Sequence, residues 1–141
     1  MKYILYLVLL ISSQVFAKPV NNSIAFYYSY PMPLAEMTFY SRVVVQPEHV
    51  TEHELNWFKQ RNIAVYAYLS VGESFNKNKS SLSINPNWDS HIADLASAHW
   101  QQHIKSSAAE LKARGFNGLF LDTLDSYQLL DKKHNKSAQQ A

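Results

Sequence analysis

Four short runs of β-branched, aromatic and leucine residues recur along this chain, and each is stopped by Pro, Gly or a carboxylate. They cover residues 24–29, 42–46, 63–71 and 119–121. Val43-Val44-Val45 and Leu119-Phe120-Leu121 are unbroken by polar residues, as in strands covered on both faces. Helix patterns separate the runs. Thr51 followed by Glu54 is a capping box, and the helix it opens turns Leu55 and Phe58 inward and ends near Asn62. Trp100, Ile104, Ala108 and Leu111 form one apolar stripe on a helix starting near His91 or Ala98 and running to Arg114. Gly115 then supplies the left-handed conformation that closes a helix. Residues 34–40 suit a further short helix. Such alternation predicts a parallel α/β sheet with right-handed crossovers.

Two architectures satisfy that order. One is a small doubly wound sheet of four strands. The other is about four parallel β/α units of a (β/α)₈ barrel, a fold of roughly 250 residues. The 141-residue chain is long enough for about half of one. Residues 74–90 break the pattern: rich in Asn, Lys and Ser and interrupted by Pro86, they read as a long solvated loop. Residues 131–141 are a polar tail, expected to be disordered.

The first 17 residues have the form of a secretory signal peptide. Lys2 is the positive region, residues 3–11 the apolar segment, and Val15-Phe16-Ala17 the small-residue cleavage site. The apolar segment is short for a membrane span, which takes about 20 residues. Contact with a membrane is expected only through this peptide, and the location is expected to be secreted or periplasmic. The chain has no cysteine, so thiolate metal sites and disulfides are excluded. A net charge of +2, without a basic run, argues against a nucleic-acid partner.

Strand exits are where α/β enzymes place their chemistry. Here they carry Tyr28 and Ser29, Gln46 and Glu48, Ser70 and Glu73, and Asp122 and Asp125. The same aspartates also suit a turn or a helix cap. His49 and His53, like His99 and His103, stand four apart, but in neither pair does Glu follow the first His as in the His-Glu-x-x-His metalloprotease motif, so no metal is expected. Three glycines build neither a phosphate loop nor a nucleophile elbow, so no cofactor is expected either. Carboxylate chemistry remains, and glycosidases use two carboxyl groups, one to protonate the leaving oxygen and one to attack or to activate water. Tyr28 is a candidate sugar platform or donor, and also a candidate core residue.

The segments Ile24-Ala-Phe-Tyr-Tyr28, Val43-Val-Val-Gln-Pro47, Ala67-Tyr-Leu-Ser-Val-Gly-Glu73 and Gly115-Phe-Asn-Gly-Leu-Phe-Leu-Asp-Thr-Leu-Asp125 occur in this order. Together they resemble the N-terminal half of the glycoside hydrolase family 114-like TIM-barrel domains, the endo-α-1,4-polygalactosaminidase type. The resemblance covers about residues 24–130, within an expected domain spanning 18–130. It implies a (β/α)₈ barrel cleaving α-1,4-linked galactosamine-rich polysaccharide. It also implies that Asp122, at the fourth-strand aspartate, is the nucleophile, and that Glu73 and Asp125 line the substrate cleft, Glu73 reading equally as a structural hydrogen-bond partner of strand ends. In the family the general acid is expected from a later strand, near the sixth. The chain is therefore expected to be a fragment, inactive alone, with a non-catalytic carbohydrate-binding or exopolysaccharide-assembly protein as the alternative.

Overall fold

The computed structural model describes residues 22–130, so the expected signal peptide and polar tail lie outside the described residues. Each apolar run forms a strand: β1 (Ile24–Tyr27), β2 (Arg42–Val45), β3 (Ala64–Ser70) and, after three strands taken up below, β7 (Gly118–Asp122). The four pair in parallel in the order β1-β2-β3-β7. That order decides between the two architectures. A doubly wound sheet reverses direction at a switch point, whereas a barrel wall adds each strand beside the last. The sheet is the wall of a partial (β/α)₈ barrel, with β7 as its fourth strand.

Helices cover one face. α1 (Leu34–Met37) is a single turn, starting where expected and ending earlier, at the C-cap Thr38. α2 (Glu52–Gln60) opens on the expected capping box: Thr51 Oγ1 accepts from the Glu54 amide, and Glu54 Oε2 accepts from the Thr51 amide. α3 (Ala98–Arg114) starts at the later of its two expected positions and closes at Gly115, whose φ is 100°. Val43, Val45, Val65 and Ala67 pack under these helices against Leu55, Phe58 and Leu111. Because side chains alternate along a strand, Val44, Tyr66, Tyr68, Phe120 and Asp122 fall on the opposite face, the inside of the barrel wall.

Two polar residues join α3 and β7 to the rest. Asn117 continues the β3–β7 ladder ahead of β7: its amide donates to Val65 O and its Oδ1 accepts from the Val65 amide, both at 2.8 Å. Arg114 donates to Pro47 O and Val50 O, at 2.8 and 3.0 Å, tying the end of α3 to the segment after β2.

Residues 74–90 are not a solvated loop. The chain makes a small antiparallel sheet of β4 (Glu73–Ser74), β5 (Ser81–Asn85) and β6 (Ser90–Ala93), in the order β4-β6-β5. His91 therefore lies in a strand and not at the start of α3. The sheet holds together although Asn85 and Ser90 within it, and Ser80 just before β5, are buried, because their polar atoms are hydrogen-bonded.

Candidate active site

Asp122 is the last residue of β7, at the carboxyl end of the sheet and on its inner face. Parallel register pairs it with Ser70, the last residue of β3. Tyr68, two residues before Ser70, shares that face, and its hydroxyl donates to Asp122 Oδ2 at 2.8 Å. The Tyr68 ring lies 5.3 Å from that of Tyr28, edge to face, and 6.5 Å from that of Phe120, stacked. Phe120 in turn meets Phe26 at 5.2 Å. Four rings thus line the inner wall beneath Asp122. Burial, then the hydrogen bond to Asp122 and its charge, push the Tyr68 phenol well above its usual range. Burial and Asp122 raise Tyr28 as well.

The loop after β7 is locked to the loop after β3. Thr123 adopts a φ of 61°, which a β-branched residue rarely takes. Its Oγ1 donates to Asp122 O at 2.6 Å, accepts from the Gly72 amide at 2.9 Å and pairs with Ser70 Oγ at 2.8 Å. The Val71 amide donates to Asp122 O at 3.0 Å, and Trp100 Nε1 donates to Val71 O at 2.8 Å. Strain of this kind persists where neighbours fix the backbone, and it concentrates at functional sites.

Of the other expected site residues, Glu73 is turned away from Asp122's rim. Glu73 is 7% exposed and turned into the protein. Its Oε1 accepts from Asn85 Nδ2, at 2.9 Å, and from Ser126 Oγ, and its Oε2 accepts from Ser90 Oγ. Burial raises the Glu73 carboxyl, but the bonds from Ser126, Ser90 and Asn85 outweigh it and hold it below the usual carboxylate range. The bonds tie the small sheet to the turn after β7, so the geometry gives Glu73 a bracing place instead of a cleft surface. Asp125 is exposed on the turn leading into the 3₁₀ helix Ser126–Leu129, with no side-chain capping bond. Tyr28 is 42% exposed, beside Tyr68, and its carbonyl lies 2.8 Å from His49 Nδ1. Asp122, Tyr68 and Tyr28 come together; Asp125 stands on the neighbouring turn.

His99 and His103 share a helix, α3, whereas His49 and His53 do not. His49 belongs to the 3₁₀ helix Pro47–His49 and His53 to α2. His99 Nδ1 sits 3.3 Å from Ser80 Oγ, and His103 packs on Trp100. Among the described residues, no three of His, Cys, Asp and Glu converge as a metal ion would require. Two cavities, of about 420 and 460 Å³, lie by the start of β7 and between α2 and the end of α3, away from Asp122.

Tyr68, Thr123 and Ser126 are site residues that the sequence reading passed over. The period of two on β3 would have found Tyr68, since Tyr66, Tyr68 and Ser70 must share one face. No local signal marks Thr123 or Ser126.

A family model described as "Glycoside-hydrolase family GH114" matches residues 12–141. The glycoside hydrolase domain of PelA from Pseudomonas aeruginosa superposes with a TM-score of 0.78 at 34% identity, over 84% of this chain and 51% of that one. A variant of that domain gives 0.77 at 33%, with the same coverage. Ega3 from Aspergillus fumigatus, solved in complex with galactosamine, gives 0.66 at 13% identity, over 84% and 53%, a likeness of fold. This chain spans about half the length of these solved relatives. No curated protein matches it.

Proposed function

The chain belongs to glycoside-hydrolase family GH114, and from that premise we propose that it is part of an exported hydrolase acting on α-1,4-linked galactosamine-rich polysaccharide, with Asp122 as the attacking carboxylate. The observation that carries this reading is the placement of Asp122. It ends the fourth barrel strand, on the inner face, at the rim where barrel enzymes assemble their sites. Tyr28 and Asp125 would contact the sugar from either side. Glu73 would act only by bracing the turn after β7. The apolar segment at residues 3–11 supports a secreted or periplasmic location. Among the described residues, no helix is long and apolar enough to cross a membrane.

Galactosamine supports the substrate assignment through its charge. Ega3 was solved with that sugar, and an unacetylated amine is cationic. A rim presenting Glu48, Asp122 and Asp125 attracts such a chain and disfavours an acidic one. Hydrolysis also needs a proton for the leaving oxygen, an assistance worth roughly 10²–10⁴-fold. Glu73, engaged with three donors, is poorly placed to supply it. The second reading is a protein that binds the polymer without cutting it.

The test uses a partly deacetylated α-1,4-galactosamine polymer. Shorter oligosaccharides detected by mass spectrometry, and absent with Asp122→Asn, support the hydrolase. Binding by calorimetry with no product supports the non-catalytic reading. Cleavage that survives Asp122→Asn removes Asp122 from the mechanism, and absence of both binding and product rejects the substrate class.

A further inference from the structure

The geometry points to Tyr68 as the positioning residue for Asp122: its hydroxyl holds Oδ2 and leaves Oδ1 as the oxygen that attacks. The inference rests on the reading of Asp122 given above. Among the described residues, the bond from Tyr68 is the one side-chain hydrogen bond to this carboxylate. A phenol donating to a carboxylate makes a charge-assisted bond, which fixes which oxygen is free.

Three features make Tyr68 a fixed donor. Strand register places it: Tyr68 pairs with Phe120 and Ser70 with Asp122, so the phenol reaches diagonally across one step of the ladder to the carboxylate. Its ring is held between Tyr28 and Phe120. Its environment also keeps the phenol protonated, so the donor persists wherever the carboxylate is charged. The Asp122 main chain is separately anchored by Thr123 and Val71, so losing the Tyr68 hydroxyl would free the carboxylate and not the strand end.

Carbodiimide coupling tests this on the full chain without requiring turnover, because the reagent activates protonated carboxyls and peptide mapping resolves each one. At pH 6, Tyr68→Phe should raise modification of Asp122 about 3- to 10-fold, because Oδ2 loses its hydrogen bond to the phenol, while leaving that of Asp125 unchanged. Tyr66→Phe removes a hydroxyl from the same face of β3 and should match the wild type. Wild-type labelling of Asp122 in a folded Tyr68→Phe chain overturns the inference. If that chain does not fold, Asp122→Asn is titrated at 295 nm. One tyrosine should then ionise at lower pH than in the wild type, and an unchanged titration overturns the inference equally. Failure in these experiments counts against Tyr68, whereas failure to bind or cut polymer counts against the proposed function.

Discussion

Gly72 is needed because another backbone passes through the space a side chain would fill. A Cβ there would sit 2.0 Å from Thr123 O, the carbonyl just after Asp122. Backbone cannot swing aside as a flexible side chain can, so Gly72→Ala must push the two loops apart. It should cost about 1–3 kcal/mol, read as a lower urea midpoint, and should weaken any function that depends on the position of Asp122. Gly118 is milder, because its Cβ would meet the Tyr66 ring at 2.9 Å. Of the three glycines, only Gly115 was legible in the sequence, because a helix stop is a local signal. The need for Gly72 arises from a residue 51 positions away, which no local pattern reports.

The small sheet β4-β6-β5 was hidden by its own composition. Strands are found by apolar alternation, but here Asn85 and Ser90 take buried positions that Val or Ile would usually fill. What makes them suitable is Glu73, a buried carboxylate needing donors, supplied by Asn85, Ser90 and Ser126. Only Leu82, Ile84 and Ile92 hinted at strands. The capping box of α2 and the closing glycine of α3 were legible because each is contained within a few residues. Glu73→Gln replaces charge-assisted bonds with weaker ones and should destabilise the chain by about 2 kcal/mol at pH 7. The folded carboxyl lies below its ordinary value of 4.5, so its contribution is present above that pH and lost as pH falls through the folded value. Denaturation curves of the variant and the wild type should therefore converge on acidification below about pH 4.5. A gap that stays constant to pH 3 would show that the bonds to Glu73 do not carry this stability.

At the scale of the whole molecule, the alternation of strand and helix was legible and the strand order was not. Both candidate architectures share the first, and only pairing separates them. The inner face of the wall is partly open, with Ile24 43% and Phe26 50% exposed along β1. It leads up to the rim where Asp122, Tyr68 and Tyr28 meet. The sequence already placed Asp122 at a strand end, whereas its partner came from a residue 54 positions earlier, through the register of two adjacent strands. The most direct measurement is peptide mapping after incubation with a galactosamine-configured epoxide or aziridine, which a nucleophilic carboxylate opens to leave a stable ester. The account predicts an adduct on Asp122, absent from Asp122→Asn; an adduct on Asp125 or Glu73 instead, or none on Asp122, would contradict it.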